Sequence, residues 1–313
     1  MIRLWWVCAA VLGVASAMVA SGLVPSYYVG LMTEMMILAL FVASLDLLVG
    51  LTGLDSLGHA AFFGIGAYMV ALLSLRGFED FAVLLVAGAG AGLALGLVFG
   101  AIALRAHGPY FLIITLALGY LPNALAIRWR SVTGGDDGLV MMGRPTLASG
   151  SIDSPARYFF FVAIILVICM WLMRAIARST FGYALRGIRE SPARMNALGY
   201  HVWTYQYAAF VIAAVFASVA GALNAGYNLF VSPVDFGIER SAGALVAVIL
   251  GGPGTLIGPA IGALAILVLR QSVGALTQHW ALALGLFYIA VVLYSPRGLA
   301  LTLSNLLGRW RRT

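Results

Sequence analysis

A succession of apolar runs, each close to twenty residues and separated by short polar intervals, limits most severely what this chain can become. The runs reach to about residue 24, then cover about 33–50, 57–75, 81–104, 110–127, 158–177, 207–230 and 281–294. An α-helix needs ~18 to 20 such residues to cross the ~30 Å core of a bilayer. With 9% charged and 63% hydrophobic residues and a mean hydropathy of +1.02, the chain has too few charges to cover a water-facing surface. The expected fold is an all-α polytopic membrane protein. Its net charge of +7 is then spent on orienting spans, and it gives no indication of a nucleic-acid partner.

One interval raises a problem of parity. Residues 241–270 would form a single helix of about 45 Å, too long for one unkinked span. In their middle stands Gly251-Gly252-Pro253-Gly254, a strong helix breaker. Arginine-rich intervals are retained on the cytoplasmic side. If 178–206 is cytoplasmic, one full span here would put Arg297, Arg309, Arg311 and Arg312 outside. Two half-spans folded as a re-entrant hairpin over 241–270 return that end to the cytoplasm. The expectation is therefore eight spans plus the hairpin in one membrane domain, 1–313, with both termini cytoplasmic. The first run is read as an uncleaved span, although Ala15-Ser16-Ala17 imitates a processing site. Residues 128–157, with arginines offset by Asp136, Asp137 and Asp153, read as an external loop.

The 178–206 interval holds Arg178, Arg186, Arg189 and Arg194 against a single acid, Glu190. It also carries helix punctuation. Ser191 can cap, Pro192 suits a first helical position and Gly199 suits the residue just past the end, which predicts a helix of about two turns over 192–198. Such a helix can dock another protein, or can belong to a solvated loop that only sets orientation.

The tract LDLLVGLTGLDSLGHAAFFGIGAY sets Asp46, Asp55 and His59 among Gly50, Gly53, Gly58, Gly64 and Gly66. Small residues let helices approach closely in lipid, and ionisable groups there face the bundle interior or a water-filled path. Gly53 with Asp55-Ser56 can break a helix within the membrane. Asp46, Gly53, Asp55, His59, Gly64 and Gly66, with Gly251, Gly252 and Gly254, are candidates for lining a translocation path. Tight packing with a polar turn is the other reading of the same residues.

All 18 basic residues are arginine. Without lysine there is neither a phosphate-binding P-loop nor Schiff-base chemistry. Cys8 and Cys169 lie in apolar runs, and His59, His107, His201 and His279 lack ligand spacing, so no metal site is expected.

Three tracts, DLLVGLTGLDSLGHAAFFGIGAY, ALRGIRESPARMNALG running on to AGALNA, and LVAVILGGPGTLIGPAIGAL, together resemble the M-type permease subunit of branched-chain amino acid ABC importers. The resemblance runs from about residue 35 to 295. It implies a bacterial inner-membrane permease beside a second homologous permease, two cytoplasmic ATPases that bind ATP and Mg, and an extracytoplasmic substrate-binding protein. Branched-chain amino acids or related small polar solutes, such as other amino acids, amides or urea, are the implied cargo. No cofactor is implied for this chain, and its remaining partner is membrane lipid. By the same resemblance Gly182, Arg186, Arg189, Glu190, Ala197 and Gly199 fall on the ATPase-coupling motif. Pro192, Arg194, Met195 and Asn196 depart from the family pattern of acid and alanine, which alters the charge of the docking face. An ion-coupled secondary transporter using Asp46 and Asp55 is the alternative; a membrane enzyme lacks a nucleophile or metal constellation to support it.

Overall fold

The computed structural model describes residues 13–274, apart from 23, 145, 148, 149, 152 and 153, together with 285 and 286. Most of the first expected span, the eighth at 281–294 and the C-terminal arginines lie outside the described residues. After helical residues 13–20, the main helices in chain order are α1 (Ser26–Thr52), α2 (Ala60–Leu75), α3 (Phe81–Ala103), α4 (Pro109–Arg128), α5 (Pro155–Arg178), α6 (Thr180–Glu190), α7 (Pro192–Ala197), α8 (Val202–Asn228), α9 (Ile238–Gly251) and α10 (Ile257–Gly274). Of these α1, α3, α4, α5 and α8 are long and apolar enough to cross a membrane.

Helices α1 and α8, each 27 residues, form the centre. They are apolar on all sides and buried over most of their length, whereas α3, α4 and α5 expose most of their apolar surface. An apolar helix with no polar face belongs inside a core or in lipid; the two central helices take the first option and the three outer ones the second. Glycines set how closely α2, α3 and α8 approach. A Cβ at Gly66 would fall on the Ser218 carbonyl, one at Gly221 on the Phe63 carbonyl, and one at Gly92 on the Ser218 side chain. The Ser218 hydroxyl in turn donates to the Gly88 carbonyl. This is the small-residue packing expected where lipid removes any hydrophobic gain from helix contact.

Two helices are shorter than a span requires. The run at 57–75 yields only the 16 residues of α2, because α1 stops at Gly53 in the left-handed conformation (φ 74°) and the chain is non-helical until His59. Farther on, α8 ends at Leu229 (φ 55°), the chain makes a 3-10 turn at Pro233–Phe236, and the 14-residue α9 follows. The interval 241–270 is indeed interrupted: α9 and α10 pack against each other across the turn at 252–256. Residues 128–157 are tied down rather than free. Leu139–Val140 pairs antiparallel with Phe230–Val231, and the Thr146 amide donates to the Glu79 carbonyl at 2.7 Å.

Replacing Gly66 or Gly221 by Leu should cost about 1–3 kcal/mol or more, as overpacked cores do. Gly90→Leu, where a new Cβ meets nothing within 4 Å, should be silent. A thermal-shift series on the detergent-solubilised chain checks this, with the first two variants several degrees lower and the third unchanged.

Candidate functional site

The basic interval begins with a bend. Ser179 follows α5, and its hydroxyl accepts from the Gly182 amide at 3.3 Å, starting α6. Residues 181–190 were expected to be loop, yet they are helical. Phe181, Ala184, Leu185 and Ile188 recur at the helical period, and Gly182, Ala184, Leu185 and Ile188 are buried, so the arginines had masked an amphipathic helix. Gly182 packs on the carbonyls at the end of α5, where any side chain would collide. Ser191 then caps α7, accepting from the Arg194 amide at 3.3 Å, with Pro192 in the first turn. Beyond its end Gly199 takes φ +87°, a conformation that glycine adopts without strain. No residue of α7 is buried, Ala197 is exposed, and Leu198 is 67% exposed. Met195 alone reaches inward, against Gly187. Arg186 lies over the Tyr183 ring at 5.4 Å, and Glu190 is exposed.

Arg189 connects this surface to the bundle. Its guanidinium donates to the Gly50 carbonyl at 2.5 Å. That oxygen belongs to the last turn of α1, where carbonyls have no intrahelical partner and the helix dipole favours a cation. The stem of Arg189 lies against Gly53, and its charge acts on Asp55, which is exposed in the connection after α1.

One turn earlier on α1, the fully buried Asp46 accepts from the Gly254 amide at 2.7 Å and the Leu256 amide at 2.8 Å. The turn between α9 and α10 is therefore fastened to α1 by one carboxylate. A Cβ at Gly50 would strike Gly254, so glycine is needed for this approach. Leu256 is held at φ +61°, a strained value for leucine. Gly251 packs against Gly258 and Pro259, and Gly252 closes α9.

The remaining path candidates sit in packed contacts. His59 is buried, its Nε2 lies 2.8 Å from the Ser44 hydroxyl, and its ring stacks on Phe41. Gly64 faces the Phe236 ring and Gly66 faces Ser218. The structure joins Asp46, Gly53, Asp55 and Gly254 around Arg189 at one end of α1, and leaves His59, Gly64 and Gly66 deeper along α2.

The chain matches, over residues 27–295, the family described as branched-chain amino acid transport system / permease component. It belongs to this family. It is 31% identical over 295 residues to the high-affinity branched-chain amino acid transport system permease protein LivM of Escherichia coli K12, covering 87% of this chain and 69% of that protein. Identity to LivM of Salmonella typhimurium is 30% with the same coverage. A probable ABC transporter permease of Sinorhizobium fredii is 28% identical over 239 residues, 72% of this chain and 68% of that protein. No solved structure matches. The protein is thus a multi-pass membrane permease subunit of the ABC importer class and not an enzyme. Its family implies a complex with ATPase and binding-protein partners.

Within this permease, the charges of the tract VDFGIER escaped the reading of the sequence. Asp235 binds Arg240 at 2.9 Å and caps the Ser232 amide, and Arg240 also lies 4.3 Å from the Phe63 ring centroid. Three charges in six residues of an otherwise apolar stretch were the available signal. Asn123 of α4 donates to the Pro233 carbonyl at 2.7 Å.

Asp46→Ala leaves one buried and one half-buried amide without an acceptor, at about 1–3 kcal/mol each. A loss of about 2–5 kcal/mol is expected, with a smaller loss for Asp46→Asn, whose side-chain carbonyl keeps one bond. Urea or thermal unfolding of the purified subunit in detergent provides the comparison.

Proposed function

We propose that this chain imports branched-chain amino acids or related small polar solutes. In this reading it works beside a second homologous permease in a bacterial inner membrane. Cytoplasmic ATPases bind ATP and Mg and seat α7 in a cleft, and an extracytoplasmic binding protein delivers the cargo. Residues 178–206 face the cytoplasm, 128–157 face outward, α9 and α10 form a re-entrant hairpin, and both termini are cytoplasmic. The cargo rests on the names of the relatives and on the family.

The observation that carries the coupling role is the chain of contacts from α7 to the core. Helix α7 exposes its residues apart from Met195, as a docking element must. Arg189, two residues before its cap, is bonded to the end of α1. The same end of α1 holds the 252–256 turn through Asp46. A displacement of α7 by ATPase closure can therefore be passed to α1, α9 and α10 together. Cargo affects the cycle only through its different affinities for the outward- and inward-facing states. Ion coupling loses its leading candidate, since both oxygens of Asp46 are engaged by backbone amides.

Arg189→Gln should leave the ATPase subunits co-purifying while lowering substrate uptake per ATP hydrolysed about tenfold, a factor that corresponds to ~1.4 kcal/mol of lost coupling. Gly199→Pro, which cannot adopt φ +87°, should remove the ATPases altogether. Affinity purification with mass spectrometry, paired with uptake and hydrolysis assays in proteoliposomes, tests both. ATP-independent transport by the chain alone would overturn the coupling role.

A further inference from the structure

We propose that Glu239 is a substrate-contact residue of the translocation path and meets the ammonium group of an amino acid in transit. The proposal rests on the amino-acid import reading above.

Contacts fix the depth of Glu239. Gly58 packs against Thr115 and Gly119, the seventh and eleventh of the 20 residues of α4. Two residues on, the Ala60 amide donates to the Ser241 hydroxyl at 2.8 Å. On the other side, Pro233 is held by Asn123, the fifteenth residue of α4. The segment from Pro233 to Ser241 therefore lies level with the middle of a spanning helix, and Glu239 lies within it.

At that depth Glu239 is exposed on the surface of the chain. It takes no hydrogen bond or ion pair among the described residues, the nearby Asp235 being the acid that holds Arg240. Its own helix buries Ser241, Ala244, Ala247, Val248, Leu250 and Gly251. Glu239, Gly243, Val246 and Ile249 follow one another at helical spacing on the other side; Ile249 is 49% exposed and Gly243 has nothing near its Cβ position. A carboxylate cannot be solvated by hydrocarbon, so such a face belongs to a water-filled path and not to lipid.

A second observation lies on the helix packed against this segment. Among the described residues the His59 Nδ1 and the Tyr68 hydroxyl are buried and have no protein partner, and the Tyr68 ring stacks on Phe236 at 5.2 Å. Hydrogen-bonding capacity is left open near the start of each helix: His59 immediately precedes α2, and Tyr68, farther along α2, meets Phe236 just before α9. An α-amino acid presents a carboxylate and an ammonium group together. Helix N-terminal ends attract the former, and Glu239 supplies the charge for the latter.

The test uses the assembled importer in proteoliposomes, with leucine and its cognate binding protein as the probe. Glu239→Gln should lower leucine uptake at least tenfold while the ATPase subunits still co-purify and binding-protein-stimulated ATP hydrolysis persists; Glu239→Asp should recover part of the uptake. In a Cys8→Ser, Cys169→Ser background, Glu239→Cys should react with a membrane-impermeant cationic thiol reagent in at least one nucleotide state. Native uptake by Glu239→Gln, loss of the partner subunits, or an unreactive Glu239→Cys in every state would overturn the proposal. Failure of the unaltered importer to carry leucine, with its ATPases bound, would overturn the amino-acid reading instead.

Discussion

The bond between the Asp46 carboxylate and the amides of Gly254 and Leu256 is the constraint on which the rest of this membrane domain depends. A helix break within a membrane domain leaves amides and carbonyls without helical partners, and proteins tolerate one where other groups supply the missing bonds. The Gly252–Leu256 turn creates such a break between α9 and α10. Asp46 satisfies two of its amides from a position 208 and 210 residues away in sequence. Burying a carboxylate is costly in isolation. Here the cost is offset by two charge-assisted hydrogen bonds, which are the stronger kind. Glycine at 50 and 254 lets the backbones come close enough for the bonds to form, and so the glycines and the acid act as one unit.

The same succession of events occurs twice along the chain. A 27-residue helix ends in a left-handed residue, Gly53 in one case and Leu229 in the other, an irregular connection turns into the bundle, and a helix of 16 or 14 residues departs from it. The two short helices begin together, joined by the Ala60 amide and the Ser241 hydroxyl. Leucine in the left-handed region is less comfortable than glycine, so the second break is held by its surroundings: the Phe230–Val231 ladder on Leu139–Val140, and the Asp235–Arg240 pair over Phe63. Two turns of the chain are fastened by an acid on backbone amide groups: Asp46 holds the turn at the end of α9, and Asp235 the one before it.

What could be read from residue order follows the range of the interaction concerned. Helix α7 was legible because its punctuation is local: Ser191, Pro192 and Gly199 act within a few residues of one another. The succession of spans was legible because hydropathy is a property of each segment alone, although it located the apolar centres better than the ends; α1 begins at Ser26, seven residues before the expected start, since nothing in Ser26-Tyr27-Tyr28 stops a helix. The role of Asp46 was not legible. An intramembrane acid reads as a path residue until its partners are known, and those lie more than 200 residues away. His59 is ambiguous for a related reason, because a histidine stacked on Phe41 and bonded to Ser44 has the same sequence signature as one facing water. Arg189 stood out in sequence as one charge of a docking loop, whereas its bond to Gly50 turns the loop into part of the bundle.

The choice of arginine at 189 follows from the geometry it must satisfy. The side chain reaches out of α6, across Gly53, to the last turn of α1, and it must neutralise an orphan carbonyl while remaining near Asp55. A guanidinium offers five donors in a fixed plane and stays charged when partly desolvated, whereas an ammonium is a strongly hydrated point charge that yields its proton more readily on burial. Because the carbonyl belongs to a helix end, the attraction is to the whole dipole of α1 and not to one oxygen. In the coupling role proposed above, a shift of α6 would pull on the axis of a helix buried through most of its length. Directly behind that helix end stand Asp46 and the turn it holds, so the stiffness required for transmission and the hydrogen bonds required for burying a broken helix come from the same few residues.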